Sequence, residues 1–121
     1  MPNYFSEKEQ KCKCGKCDGL LDKEFLDRLN QLREQLGRPV LLSSAYRCPA
    51  HNSVVSRTGK HGPHTTGKAV DIVCAGSEAV EILDIALDLE FKGIGVCQTG
   101  TWGRRFIHID DARPTATIWS Y

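Results

Sequence analysis

Two short apolar segments of this chain carry ionisable side chains at alternate positions. Residues 69–73 read Ala-Val-Asp-Ile-Val, and residues 106–110 read Phe-Ile-His-Ile-Asp. Their length and their β-branched residues predict two β-strands, in which successive side chains point to opposite faces of a sheet. One face of each strand is then apolar, whereas the other presents Asp71 in the first strand and His108 with Asp110 in the second. Because an unpaired buried charge is costly, these side chains need a cation, a metal ion or hydrogen bonds.

The rest of the chain has the periodicity of an α+β domain, in which helices pack on a small, largely antiparallel sheet. Apolar residues recur at helical spacing over residues 21–36, where Asp18 or Asp22 provides the N-cap and Gly37 ends the helix. A second helix is expected to start at a Ser77 cap. The buried stripe predicted for this second helix is Ala79, Val80, Leu83, Ala86 and Leu87.

Three further strands are expected, the last of them at an edge of the sheet. They are predicted at residues 40–45, 93–96 and 117–119. Residues 56–68 contain four Gly or Pro among polar side chains and are expected to form a loop. Cys74 and Cys97 follow two apolar runs and are expected in the core.

The composition describes one domain, residues 1–121, that carries no strong electric field. Sixteen Lys and Arg side chains face fifteen Asp and Glu side chains, which argues against nucleic acid or an anionic membrane as the partner. No apolar run approaches the roughly 18 residues of a membrane span, and the first ten residues lack the apolar segment of a secretory signal. We therefore expect a monomer that is made in the cytoplasm without a signal peptide and is not inserted into a membrane.

Three of the six cysteines lie within six residues of one another, at Cys12, Cys14 and Cys17. Three thiols at this spacing can share a structural Zn²⁺ ion if Cys48 or His51 supplies a fourth ligand. A disulfide, for example between Cys17 and Cys48, and unbridged thiols are the alternatives. The absence of a signal segment favours a reducing compartment, and therefore free thiols or a metal site.

A third histidine stands near the first of the two strands. His64 lies seven residues before Asp71, and Gly67 allows the chain to turn sharply between them. If the two strands are neighbours in one sheet, His64, Asp71 and His108 converge. Two imidazoles and one carboxylate with an open fourth position are the usual protein contribution to a catalytic zinc, which acidifies a coordinated water.

Three longer motifs and three shorter runs follow one another along the chain. The motifs are Ser44-Ala45-Tyr46-Arg47, His64-x-x-Gly67-x-Ala69-x-Asp71 and Phe106-Ile107-His108-Ile109-Asp110. The shorter runs are Tyr4-Phe5-Ser6-x-x-Glu9, Leu36-Gly37-Arg38-Pro39 and Arg47-Cys48-Pro49-x-His51-Asn52. In these residues the sequence resembles the zinc D-Ala-D-Ala carboxypeptidase family and its peptidoglycan endopeptidase and phage-lysin relatives. The resemblance extends over nearly the whole chain.

The resemblance implies an α+β fold shared with the hedgehog signalling domain. It also implies a zinc ion held by His64, Asp71 and His108, and cleavage of peptide bonds next to D-amino acids in the cell wall. Arg47 matches the family arginine that faces the metal and steadies an oxyanion or a substrate carboxylate, a role that suits a guanidinium fork; the alternative is a surface ion pair. Tyr46 and Trp102 are expected either to wall the groove or to lie in the core.

One position departs from the family pattern. Many relatives carry a carboxylate general base three residues before the last zinc ligand, but this chain has Arg105 there. Asp110 is the first candidate for the base, and it can equally orient His108. His61 is the second candidate. The third possibility is a domain without catalytic activity.

The sequence therefore predicts a zinc-dependent hydrolase that cleaves peptidoglycan stem or cross-bridge peptides, and is a phage or prophage lysin. Such an enzyme is stored in the cytoplasm and released onto the wall, or is carried in a virion. The alternative is a noncatalytic, zinc-stabilised cell-wall-binding domain, which Arg105 favours. A weaker alternative is a zinc-finger-like interaction module built on the first three cysteines.

Overall fold

A five-stranded sheet organises the chain, of which the computed structural model describes residues 2–121. The helices are α1 (Glu7–Gln10), α2 (Lys23–Leu36), α3 (Pro49–Val55) and α4 (Gly76–Asp88). The strands are β1 (Leu41–Ser44), β2 (Ala69–Val73), β3 (Gly93–Cys97), β4 (Phe106–Asp110) and β5 (Thr117–Ser120). Short 3₁₀ turns lie at Gly59–His61, Pro63–Thr66 and Trp102–Arg104.

The strand order in the sheet is β1-β2-β4-β3-β5. The pairs β1–β2, β2–β4 and β3–β4 are antiparallel, and only β5 runs parallel to its neighbour β3. The predicted α+β class with a largely antiparallel sheet is therefore confirmed. No helix within residues 2–121 has the length and apolar character needed to cross a membrane.

The strand register places one row of side chains across a single face of the sheet. Asp71 pairs directly with His108, and Ser44 pairs with Asp71 on the other side. Gly95 pairs with His108, and Trp119 pairs with Gly95 at the edge. A Cβ atom on Gly95 would lie 2.6 Å from the Trp119 indole nitrogen, so only glycine leaves the indole room beside the imidazole.

The opposite face of the sheet carries the hydrophobic core. Ile107 and Ile109 of β4 are fully buried there, between the strands and the two long helices. Helix α2 begins after its N-cap Asp22 and ends at Gly37, whose φ of 73° is the left-handed conformation that glycine adopts readily. These bounds agree with the prediction from sequence.

The buried stripe of α4 differs from the predicted one. Ala79 and Ala86 are buried as expected, but Ile82 is buried between them, whereas Val80 is 67% exposed. Leu87 is also exposed, and the N-cap is Ala75 in place of Ser77. Several faces of this helix are apolar, so its spacing allows more than one stripe, and packing against the sheet selects among them.

Two segments that were predicted without helix contain helical turns. Pro49 occupies the first position of α3, where its missing N–H costs nothing. The glycine- and proline-rich segment of residues 56–68 contains the 3₁₀ turns Gly59–His61 and Pro63–Thr66. Each of these turns is too short to produce a periodic pattern in the sequence.

Replacing Ile107 with alanine should destabilise the domain by about 2–5 kcal/mol, because the side chain is fully buried at the centre of the sheet and its loss leaves a cavity. The measurement is urea unfolding followed by circular dichroism. The matched control is Ile118→Ala on the edge strand β5, where the side chain is 64% exposed and the cost should stay under about 1 kcal/mol. Equal costs at the two positions would contradict the assignment of the core face.

Candidate active site

The structure brings His64, Asp71 and His108 together, and all three are buried. Each offers one ligand-capable atom, and these atoms lie within 4.8 Å of one another. Asp71 Oδ1 is 2.9 Å from His108 Nδ1 and 3.4 Å from His64 Nε2. Side chains 44 residues apart along the chain thus form one centre.

The fold positions these side chains by two different means. Asp71 and His108 lie in the middle of adjacent strands and face each other through the strand register. His64 lies in the 3₁₀ turn Pro63–Thr66, which ends at Gly67 with a φ of 75°. The space around Gly67 is also narrow, because a Cβ atom there would lie 3.0 Å from the backbone nitrogen of Asp22. The sharp turn expected at Gly67 is therefore present, and it directs His64 towards β2.

Each histidine has its tautomer set by a partner outside the centre. His64 Nδ1 lies 2.8 Å from the Ala45 carbonyl oxygen, which can only accept, so Nδ1 donates and Nε2 faces Asp71. His108 Nε2 lies 2.6 Å from Asp110 Oδ2 and donates to it. The other ring nitrogen of His108, Nδ1, therefore faces Asp71 and the centre.

Asp110 accepts a hydrogen bond from Nε2 of His108, the ring nitrogen that does not contact Asp71. Its carboxylate is fully buried and also accepts hydrogen bonds from Arg113 Nε and from the backbone nitrogen of Ala112, each at 3.2 Å. A Cβ atom at Gly93 would collide with this carboxylate. Of the two roles that the sequence left open for Asp110, these contacts match the orientation of His108.

Charge at the centre is stabilised by these neighbours. Burial alone raises the pKa of Asp71, but its contacts with His108 and His64 outweigh burial and hold the pKa well below its usual range. Burial likewise raises the pKa of Asp110, and the His108 contact again lowers it overall. For His108, burial lowers the pKa, whereas Asp110 and Asp71 raise it, and the net shift is upward. Both carboxylates are therefore ionised at neutral pH.

The donor set fits a Zn²⁺ ion. Two imidazole nitrogens and one ionised carboxylate oxygen converge, and the second nitrogen of each ring is engaged by a carbonyl or a carboxylate, as is usual for zinc-ligating histidines. His64, Asp71 and His108 all line a groove, so the remaining side of the centre is open. An open position is what separates a catalytic zinc site from a structural one.

Arg47 lies beside the centre and is fixed by three side chains. Its guanidinium group donates to Ser44 Oγ at 2.9 Å, to Asn52 Oδ1 at 3.1 Å and to Asp71 Oδ2 at 3.4 Å. Asn52 is fully buried on α3. Arg47 is therefore not a surface ion pair, since its charge lies at the edge of the groove in a defined orientation.

The groove encloses about 680 Å³. Its aromatic walls are Phe106, Trp119 and Tyr121, and its arginines are Arg47, Arg57 and Arg113. Of the two places expected for Tyr46 and Trp102, the groove wall is excluded for both residues, and the core is excluded for Trp102. Trp102 is 65% exposed elsewhere on the surface, and Tyr46 packs over Gly19.

Neither Arg105, which stands where relatives carry the general base, nor His61, the second candidate for the base, lies in the groove. Arg105 donates to the Gly100 carbonyl oxygen and stacks over Trp102, and it does not line the groove. His61 is exposed and also lies outside the groove lining. Within the described part of the chain, Asp71 is the one carboxylate that lines the groove.

The first three cysteines form a second cluster together with Cys48. Their sulfur atoms lie within 4.8 Å of one another, and His51 is not a member of the group. All six cysteines are free, so the alternative of a Cys17–Cys48 disulfide is wrong for this structure. Cys74 is buried as predicted, whereas Cys97 is partly exposed.

Several residues of the groove had no signal in the sequence. Trp119, Tyr121 and Arg113 reach the centre because β5 runs parallel to β3 beside the central strands, a long-range pairing that no local pattern encodes. Asn52 was noted in the sequence as part of a motif. Its buried contact with Arg47 depends on α3, which was not predicted.

Two imidazoles and a carboxylate that face an open groove beside a fixed arginine are an arrangement typical of metallohydrolases. The family model described as Peptidase M15 matches residues 3–110, and the chain therefore belongs to this family. M15 peptidases use zinc, so membership supports a zinc peptidase-type function and confirms the resemblance seen in the motifs. No curated protein and no solved structure matches the chain.

Replacing Asp110 with alanine should weaken zinc binding at the His64 centre by about 10–100-fold, because the carboxylate sets the tautomer and the orientation of His108. The measurement is a competition titration against a zinc-chelating dye. Asp111→Ala is the control, since Asp111 pairs with Arg28 and has no bond to His108. An unchanged affinity in the Asp110 variant would show that the carboxylate does not support the centre.

Proposed function

We propose that this protein is a zinc-dependent hydrolase that cleaves peptide bonds next to D-amino acids in peptidoglycan stem or cross-bridge peptides. The convergence of His64, Asp71 and His108 at an open groove carries the proposal, and membership of the Peptidase M15 family supports it. A zinc ion held there would polarise the scissile carbonyl and acidify a water molecule.

The chain's own residues supply the rest of the chemistry. Asp110 keeps His108 in one orientation, and the Ala45 carbonyl does the same for His64. Arg47 keeps a guanidinium group at the edge of the groove, where it can donate to an oxyanion or to a substrate carboxylate. Because Ser44 and Asn52 already hold this group, little reorganisation is needed when negative charge develops nearby.

The groove has a composition that suits an acidic peptide. Three arginines and three aromatic side chains line it, against a single carboxylate at Asp71. Stem peptides of the bacterial cell wall carry several carboxylates, so positive charge along the groove favours their binding. Trp119 and Tyr121 offer flat apolar surfaces on which a peptide can rest.

The biological setting belongs to the same proposal. The resemblance to short phage enzymes supports a phage or prophage lysin, which acts on the wall after release from the cytoplasm or from a virion. The balanced net charge of +1 argues against nucleic acid or an anionic membrane as the partner. The proposal also includes a monomeric state.

A second candidate function is a noncatalytic, zinc-stabilised domain that binds the cell wall. It is favoured by Arg105 at the position where relatives carry the base, and by the direction of that side chain away from the groove. Such a domain would retain the zinc centre and the arginine-lined groove. The two candidates differ in whether new termini appear in the bound peptide.

The His64→Ala variant should lose the zinc of this centre and, with it, all cleavage of purified peptidoglycan, because one of three protein ligands is removed. The measurement is mass spectrometry of muropeptides after digestion, with and without a chelator. His61→Ala is the matched control, since it removes an exposed histidine outside the groove and should leave activity unchanged.

Full cleavage by the His64 variant would refute the zinc mechanism. Wall binding by the zinc-loaded parent with no new amine or carboxyl termini would instead establish the binding domain. The masses of the products also identify the bond that is cut.

Replacing Arg47 with lysine should lower kcat by about 100-fold while the zinc content stays unchanged, since lysine keeps the charge but loses the fork that Ser44, Asn52 and Asp71 orient. The measurement is steady-state cleavage of a synthetic stem peptide. Arg104→Lys, on an exposed turn, is the control. A variant with unchanged kcat would place Arg47 outside the reaction.

A further inference from the structure

Four cysteine sulfur atoms lie at the separations of ligands around one ion. Cys12 and Cys48 are 3.8 Å apart, Cys14 and Cys48 are also 3.8 Å apart, and Cys14 and Cys17 are 3.6 Å apart. A tetrahedron with zinc–sulfur bonds of about 2.3 Å has edges of about 3.8 Å between its sulfur atoms. The observed separations match this geometry, and none of the cysteines is bonded to another.

Two backbone N–H groups donate hydrogen bonds to sulfur atoms of this cluster, and a thiolate, the form in which cysteine binds metals, accepts such bonds. The backbone nitrogen of Lys16 donates to Cys14 Sγ at 3.3 Å, and the backbone nitrogen of Cys48 donates to Cys12 Sγ at 3.4 Å. Gly15 has a φ of 70°, which lets the chain turn tightly between the second and third cysteines. The turn therefore brings the sulfur atoms of Cys12, Cys14 and Cys17 close together, and the sulfur atom of Cys48 lies beside them.

We propose that Cys12, Cys14, Cys17 and Cys48 bind a structural Zn²⁺ ion, separate from the centre at His64. Four thiolates close the tetrahedron and leave no position for water or substrate, which is the composition of a structural site. The centre at His64 differs in both respects, because it offers nitrogen and oxygen donors and faces an open groove.

The location of this site explains what the ion stabilises. Residues 11–22, between α1 and α2, form no helix or strand and contribute three of the ligands. The fourth ligand, Cys48, directly follows Arg47 and is the N-cap of α3. An ion bound to all four fastens the N-terminal segment to the chain that carries Arg47.

The same short stretch of chain also holds His64. The Ala45 carbonyl accepts a hydrogen bond from His64 Nδ1, and the Arg47 backbone nitrogen donates to the His64 carbonyl oxygen at 3.1 Å. The Tyr46 backbone nitrogen bonds the Gln10 carbonyl oxygen, so residues 45–48 lie between the N-terminal segment and the groove. The ion thus supports the part of the chain that positions Arg47 and His64, although it touches neither.

The first experiment counts metal ions in the reduced full-length protein by native mass spectrometry and elemental analysis. We expect two zinc ions in the parent, one in His64→Ala and one in Cys14→Ser. Cys97→Ser is the matched control, because Cys97 lies outside the cluster, and it should retain two ions. The ion that remains in His64→Ala should show sulfur-to-metal charge-transfer absorption after exchange with Co²⁺.

This design keeps the two zinc proposals separate. If cobalt-loaded His64→Ala shows no charge-transfer absorption, the cysteine site is overturned. This result does not depend on the centre at His64 or on the folding of Cys14→Ser. Iron in place of zinc would also overturn the cysteine site. One ion in the parent that has only nitrogen and oxygen ligands would support the His64 centre and reject the structural zinc.

The second experiment tests the fastening role by hydrogen exchange. We expect the Cys14→Ser variant to exchange amides faster over residues 11–20 and 45–48, with unchanged protection in β2 and β4, and to lose roughly 10 °C in its unfolding midpoint. Cys97→Ser should show neither effect. Unchanged exchange in both segments after loss of the ion would contradict the fastening role.

Discussion

The antiparallel register between β2 and β4 is the constraint on which the rest of the structure depends. It sets Asp71 directly opposite His108 and, in the same step, turns Ile72 and Ile107 towards the core. Side chains alternate along a strand, so a slip of one residue would turn the polar set towards the hydrophobic core and the apolar set towards the groove. The apolar core therefore enforces the geometry of the centre.

Once this register is set, the electrostatics of the centre are mutually dependent. Asp71 is buried as an ionised carboxylate because two imidazoles and a guanidinium group surround it. His108 is held between two carboxylates, and Asp110 in turn is held by Arg113. Charges that would be costly alone are stabilised as a connected network, and no buried polar side-chain atom among the described residues lacks a hydrogen-bond partner.

The residues of the groove lie partly on central strands and partly on irregular segments. Asp71 and His108 stand on central strands, whereas Arg47 and His64 lie on segments with little regular structure. Hydrogen bonds to Ser44 and Asn52 hold Arg47, and the proposed cysteine-bound zinc would hold the chain next to it. These irregular segments gain order in this way without a larger hydrophobic core.

The sequence by itself determined the polar and apolar faces of β2 and β4, the bounds of α2, the triad of His64, Asp71 and His108, and the family. The strand faces and the helix bounds are local or periodic, and alternation or helical spacing expresses them directly in the order of residues. The triad and the family were recognised from the motifs at residues 44–47, 64–71 and 106–110. Only the tertiary structure decided that Cys48 joins the three early cysteines. It also decided that Trp119 and Tyr121 wall the groove. The hydrogen bond between Asp110 and His108 was likewise settled by the tertiary structure. The tertiary structure also selected the buried stripe of α4. Each of these depends on the packing of elements far apart in the chain, and such packing leaves no local signal because many sequences with the same pattern could pair differently.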